Sequence, residues 1–454
     1  MNRIKRFFEP EQPYEPLQDD THEDGDSTLG ESDDGLQEQV FSWVEYFVFL
    51  LLGVAMLWAW NMFLAAAPYF QSRFRSSKWI LNHFQAAEVS VSTVTNLTSM
   101  IILTKLQKGA SYPKRISSSL VLYTAIFAIL ALSTLVKTGA GVYFGFLLLT
   151  IFATSLATGL IQNGLFAFTS GYGRSEYTQA IMTGQGVAGV LPPLVQIISV
   201  AAVHRKQGEG PEAAAQSPKS AFIYFLTATA ISAISLLAFF YLVRRKRHRD
   251  ALHAATKTTL NGASEGDALT GGAGQGDTNS ERASVPLMVL FRKLSFLSVA
   301  VFLCFAITMV FPVFTAITES VSGIDSATFI PLGFLMWNIG DLGGRLLLAV
   351  PKLSLTHYPF ALFCISMARL IFIPLYFLCN IKGRGAYVNS DFFYLVIVQL
   401  LFGLTNGYLG SSCMMGASEW VAPEEREVAG GFMGMMLVSG LAVGSLLSFL
   451  LGDV

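Results

Sequence analysis

Charge is scarce in this chain. Of 454 residues only 13% are Asp, Glu, Lys or Arg, against 52% hydrophobic, and soluble domains carry roughly twice that charged share. Thirty Lys+Arg against 31 Asp+Glu leave a formal net charge of -1, which excludes a broadly basic nucleic-acid binder. The four cysteines, Cys304, Cys364, Cys379 and Cys413, all lie in apolar runs, so neither a disulfide framework nor a zinc-ligand spacing is on offer. No Gly-Lys dipeptide occurs, which excludes a P-loop for ATP. His-Glu-x-x-His and paired catalytic carboxylates are also missing, so nothing supports catalysis, a cofactor or a metal site. In their place stand 36 phenylalanines and long apolar runs, with a mean hydropathy of +0.51.

A helix needs about 20 apolar residues to cross the hydrocarbon layer. Windows of that length fall at 41–68, 84–106, 115–136, 140–170, 177–202, 219–243, 290–317, 326–350, 358–380, 390–417 and 427–451. These predict an all-α polytopic membrane protein with eleven transmembrane helices. The breaks at 137–139 and 171–176 pair glycine with a charge (Lys137; Gly171-Tyr172-Gly173-Arg174) and read as tight turns between antiparallel helices.

Residues 1–40 hold 12 of the 31 acids and read as a disordered cytoplasmic tail rather than a signal peptide. A second polar stretch, 244–289, opens on Arg244-Arg245-Lys246-Arg247-His248-Arg249 and continues in Gly, Ser, Thr and Asp. It reads as a flexible cytoplasmic linker between a six-helix bundle, 41–243, and a five-helix bundle, 290–454. With the N-terminus cytoplasmic, that side collects 19 basic residues and the other side nine. The asymmetry favours that orientation and puts the C-terminus in a lumen or outside the cell.

Ionisable residues inside spans are costly and are the first functional candidates. Asp341 and Arg345 stand four apart in Asn338-Ile339-Gly340-Asp341-Leu342-Gly343-Gly344-Arg345, on one helix face where they can pair. Pairing leaves guanidinium donors free for a polar ligand; a purely structural ion pair is the alternative. Arg369 fits a structural anchor better. Glu88 fits a solvated helix end, with a proton-sensing group as its alternative. The amides Asn61, Asn96, Gln162, Asn163, Gln179, Gln185 and Gln196 need partners in apolar runs, either as interhelical bonds or as a converging neutral pocket. Trp58 and Trp60, beside Asn61, offer a flat surface for a ring. Four-residue glycine spacings (Gly403/Gly407, Gly430/Gly434, Gly440/Gly444) indicate close helix packing. Prolines at 192–193, 312, 331 and 374 should bend helices.

In family order, several segments resemble the equilibrative nucleoside transporters. They are Trp60-Asn61-Met62-Phe63 followed by Pro68-Tyr69-Phe70; Gln162-Asn163-Gly164-Leu165-Phe166 with Thr183-Gly184-Gln185-Gly186; and Asn338 to Arg345. Ala368-Arg369-Leu370-Ile371-Phe372-Ile373-Pro374 and Thr405-Asn406-Gly407-Tyr408-Leu409 with Glu424 to Gly430 complete the set. The resemblance implies a major-facilitator-like arrangement of six plus five helices around a central cavity, and nucleoside transport by facilitated diffusion with alternating access, nucleobases included as an extension. It further implies that Asp341 and Arg345 contact the ribose, with Arg345 donating to sugar hydroxyls. Gln162 would bond the nucleobase edge, Trp60 and Asn61 would line the site, and Phe311 and Asn338 would support it. Two departures bear on base preference: Gly340 and Leu342-Gly343 flank the acid where a bulkier residue is common, and the polar Asn163 follows Gln162. The implied partners are nucleosides and the lipid bilayer, with no nucleic acid and function as a monomer. The acidic tail resembles the fungal intracellular branch, implying a vacuolar or lysosomal membrane rather than the plasma membrane. Alternatives are a proton-coupled nucleoside carrier, motivated by Glu88 and Asp341, a major-facilitator-type sugar or drug transporter, and a receptor without flux.

Overall fold

The computed structural model describes residues 41–106, 109–204, 217–264 and 285–451; the acidic segment 1–40 and residues 265–284 of the linker lie outside them. Apart from one antiparallel bridge, Thr318 to Ile381, the regular structure described is helical. Before the linker come α1 (Trp43–Ala65), α2 (Ala67–Phe74), α3 (Lys78–Lys105), α4 (Tyr112–Ser133), α5 (Ala140–Ser170), α6 (Ser175–His204) and α7 (Pro218–Ser264). After it come α8 (Leu287–Lys293), α9 (Ser295–Thr308), α10 (Val310–Ile317), α11 (Ser326–Leu347), α12 (Pro359–Ala368), α13 (Phe372–Phe377), α14 (Leu401–Gly416), entered through a π-helical stretch Phe393–Leu400, and α15 (Arg426–Leu451).

Ten helical stretches of the described chain are long and apolar enough to cross a membrane, α1 with α2, α9 with α10 and α12 with α13 each counting as one. The 22-residue α11 is not among the ten. It would span about 33 Å, but Asn338, Asp341 and Arg345 lower its hydropathy. The helices leave leucines, valines and phenylalanines such as Phe47, Val142, Leu149 and Leu237 exposed, an outer surface suited to lipid and not to water.

Two sequence expectations take a different form. Where a flexible linker is expected from 244, α7 continues as helix to Ser264, because Arg and Lys are good helix formers and no glycine or proline intervenes before Gly262. Arg249 of this extension meets the buried Glu45 carboxylate at 2.7 Å, and the Tyr177 hydroxyl donates to the same carboxylate at 2.9 Å. The expected proline bends at 312 and 374 are breaks, at Met309 between α9 and α10 and in a 3-10 turn Arg369–Ile371. Proline has no N–H to return to the residue four before it, and the chain loosens there. Pro331, Pro192 and Pro193 lie inside unbroken helices.

Successive long helical stretches alternate in direction, so Trp43, Ser170, Ser175, Leu287, Gly416 and Arg426 share one end with the linker. At and below mid-height on that side, helices from the two parts of the chain pack on each other: α5 and α3 on α15, α6 on α11 and α14. One continuous apolar core runs through both parts there, including Phe166, Met182, Leu297, Phe305, Met414 and Phe432. Towards the opposite, far end, a separate core of Phe311, Phe314, Trp337, Tyr376, Tyr394 and Phe402 belongs entirely to helices after the linker. Among the described residues, apolar packing thus joins the two parts at the linker end, while the far-end core of the later part is built from that part alone.

The closest helix contact in the later part is α11 on α14. A Cβ on Gly407 would meet the Asp341 carbonyl oxygen, and one on Gly403 the Trp337 carbonyl oxygen, inside any permitted contact. Glycine spacing of this kind lets two backbones touch. The far end of the same part is tied by Asp391, whose carboxylate accepts from Ser320 Oγ at 2.7 Å, Val321 N at 2.9 Å and Ser322 N at 3.2 Å. Burial pushes this carboxyl up, but those hydrogen bonds outweigh it and hold it below the usual carboxylate range.

Gly407→Ala should lower thermal stability in detergent by about 1–3 kcal/mol through overpacking. Gly343→Ala, whose Cβ meets nothing within 4 Å, should melt like the parent; equal effects would discount the α11–α14 contact. For Asp391 the depressed native value means that its ionised form adds stability above the ordinary value of about 3.9, and that this is lost as pH falls through the lower native value. Hydrogen exchange at Val321 and Ser322, corrected for intrinsic rate, should therefore stay protected from neutral pH down to about 4. Loosening already near neutrality would mean that another group holds the loop.

Candidate functional site

Asp341 and Arg345 lie on α11 at its seam with α6, 4% and 5% exposed. One turn of helix separates them, and Arg345 Nε donates to Asp341 Oδ2 at 2.7 Å. The guanidinium also crosses the seam: Nη1 donates to the Met182 carbonyl of α6 at 2.6 Å and to Gln185 Oε1 at 3.4 Å. Gln179 Nε2 returns a bond to the Arg345 carbonyl at 3.3 Å. Gly186 makes the approach possible, since its Cβ position lies 3.0 Å from Arg345 Cδ. Among the described residues Arg345 Nη2 has no protein acceptor, so the pairing leaves two planar donors unspent.

Asn338, one turn before Asp341, turns its amide back to the Phe334 carbonyl at 2.8 Å and faces Gly189 of α6 across the seam. Phe311 is stacked on Trp337 with centroids 4.3 Å apart and meets Phe334 edge-on at 5.1 Å, an aromatic wall beside Asn338. Gln162 stands on α5, half-buried, with its Oε1 buried and unpaired. Trp60 is half-buried on α1. Asn61 Nδ2 is committed to the Ala188 carbonyl at 2.7 Å, a clamp between α1 and α6. The structure therefore gathers Asn338, Asp341, Arg345 and Phe311, and joins Trp60, Asn61 and Gln162 to the pair by no hydrogen bond. Trp58 packs on the apolar core; two positions apart on a helix, it and Trp60 face different ways and make no joint platform.

Other polar candidates resolve into structure. Asn163 is held by Arg115 and by Thr104 at 3.3 Å, which turns it away from the role of Gln162. Glu88 is 4% exposed with Oε1 unpaired, a buried carboxyl where a solvated helix end is the simpler expectation. Arg369 is 1% exposed and fully engaged. It bonds the Cys304 carbonyl at 2.6 Å, Cys304 Sγ at 2.8 Å, Thr308 Oγ1 at 3.1 Å, Thr405 Oγ1 at 3.2 Å and Asn406 Oδ1 at 3.3 Å. Its guanidinium also lies 4.7 Å over the Phe402 ring.

Asn406 is the residue that sequence reasoning left inside a motif without a role. It is 1% exposed and donates from Nδ2 to Asp341 Oδ1 at 2.7 Å. An amide in the apolar run of α14 was the available signal. The Met182 carbonyl had none, because a backbone group carries no letter in a sequence.

Removing Arg369 strands several buried acceptors and the charge balance around Asp341. Arg369→Leu should cost about 3–5 kcal/mol, read as a lower melting temperature and poor monodisperse yield. A variant that folds as well as the parent and fails only in uptake would make Arg369 a ligand contact instead.

A family model described as nucleoside transporter matches residues 148–452. The nucleoside transporter FUN26 of Saccharomyces cerevisiae is 29% identical over 89% of this chain and 83% of its own. Equilibrative nucleoside transporter 1 of Rattus norvegicus is 29% identical over 89% of this chain and 96% of its own. Among solved structures, the major facilitator superfamily proton:xylose symporter XylE aligns with a TM-score of 0.55 at 12% identity, over 90% of this chain and 88% of that one, a likeness of fold alone. With its later helices, its linker and the Asp341–Arg345 segment all inside the matched region, the chain belongs to the nucleoside transporter family.

Proposed function

We propose that the protein moves nucleosides across a membrane by facilitated diffusion, with Asp341 and Arg345 as the polar centre of the substrate site. The observation that carries this is the unspent Nη2 of Arg345, a planar donor held in place by a carboxylate and a carbonyl. It suits vicinal sugar hydroxyls, which need donors fixed in direction. Gln162, with a buried unpaired carbonyl oxygen, suits an exocyclic amine or ring N–H of a nucleobase. Phe311, Phe334 and Trp337 provide apolar surface, Trp60 lines the α1 side, and Asn338 supports the wall. Asn61, with one N–H committed to the Ala188 carbonyl, still has its carbonyl and its second N–H to offer.

The seal that packing of the two parts forms at the linker end, beside a far-end core confined to the later part, supports alternating access. Arg345 is itself part of the seal, through Met182. A sugar hydroxyl that draws on the guanidinium weakens the same seam that must part for release. α11 is taken as an eleventh span, giving bundles of six and five helices, 41–243 and 290–454, around one site within a monomer. Its charges face protein rather than lipid, consistent with crossing. The excess of basic residues on the linker side, with the acidic segment 1–40, supports a cytoplasmic N-terminus and a vacuolar-type membrane.

Counterflow of labelled uridine or adenosine in proteoliposomes without an ion gradient tests this. The parent should accumulate label saturably, and Arg345→Ala should lose roughly 10- to 100-fold in kcat/KM while remaining folded. Arg345→Lys should recover little, because an ammonium lacks the planar fork. Normal flux in Arg345→Ala would remove it from the site. No flux from folded parent protein would favour a coupled carrier or another substrate.

A further inference from the structure

Asp341 reaches Arg345 through one oxygen only, Oδ2 to Nε at 2.7 Å. A carboxylate held at one corner by a long side chain of its own helix is free to turn about its terminal bond. The other oxygen is fixed from a different helix, by Asn406 Nδ2 at 2.7 Å. Asn406 is in turn fixed at its carbonyl end, where Thr308 Oγ1 donates at 2.6 Å, Arg369 Nη2 at 3.3 Å and Cys304 Sγ at 3.4 Å. Three donors on one side and a carboxylate on the other leave its amide a single orientation. The close approach at Gly407, one residue along, is what brings this short side chain within reach of Asp341.

The geometry points to Asn406 as a positioning residue for sugar recognition: it sets the angle of the Asp341 carboxylate, and through it the direction in which Arg345 presents its unspent donors. This rests on the assignment of Arg345 to the sugar. Asn406 touches no substrate. It is a polar relay between two buried arginines, donating towards one and accepting from the other. Asparagine meets both demands at this length; aspartate would set two carboxylates against each other, and leucine would leave Asp341 Oδ1 without its donor and remove one acceptor from Arg369.

The test compares uridine with 2′,3′-dideoxyuridine in the same proteoliposomes. Asn406→Ala should lower kcat/KM for uridine roughly 10- to 100-fold, as expected for losing a hydrogen bond to a charged group, and leave the dideoxy analogue nearly unchanged. A residue that merely holds the fold would lower both alike, and equal losses, or no loss, would overturn the inference. The exchange Asn406→Asp with Asp341→Asn keeps the polarity of the relay, since Asn at 341 can accept from Arg345 and donate to Asp at 406. It should restore preference for uridine over the analogue where either single change abolishes it. If Asn406→Ala does not fold, the exchange decides alone: a folded double variant without sugar preference counts against positioning. Normal uridine flux in Arg345→Ala would instead show that the site assignment has failed, independently of Asn406.

Discussion

A charge inside a membrane protein must be met by something other than water, and here two arginines and one aspartate are met by each other and by the backbone. Arg369 takes a carbonyl, a thiol, two hydroxyls and an amide. Arg345 takes a carboxylate, a carbonyl across the seam and a side-chain amide. The contrast between the two is functional. The first has no spare donor and knits α9, α12 and α14 together; the second keeps a planar pair of donors in hand at the joint between the two parts of the chain. The placement of each arginine follows from the same desolvation cost, solved once completely and once with donors left over.

Glycine is what allows the solution. α11 and α14 lie with backbones touching at Gly403 and Gly407, and only at that distance can a side chain as short as asparagine bridge to Asp341. Across the seam, Gly186 and Gly189 let α6 approach Arg345 and Asn338. The small residues that hold helices together are therefore also those that bring polar groups into register.

Much of this was legible in the sequence, for physical reasons. Apolar runs of the required length located the helices, and a four-residue interval put Asp341 and Arg345 on one face. Gly403 and Gly407 declared close packing, but spacing names no partner, so their contact with α11 needed the structure. α11 shows the limit of hydropathy: the residues that make it chemically interesting also lower its apolar average. Trp58 and Trp60 looked like a pair because they are neighbours in sequence, whereas helical geometry turns them apart. Asn61 and Asn163 read as polar groups needing partners, and each has one in the protein. Glu88 could not be placed from sequence, since a position near a span end leaves open whether neighbouring helices cover it.

The continuation of α7 beyond the bilayer has a mechanical side. From Leu242, buried in the early core, to Ser264 the helix adds about 33 Å at 1.5 Å per residue, and the Arg249–Glu45 pair braces it against α1. It behaves as a lever rooted in the helices before the linker. A tilt of about 10° in those helices sweeps its tip through about 6 Å over that length, so a small rearrangement at the seam is enlarged at the linker.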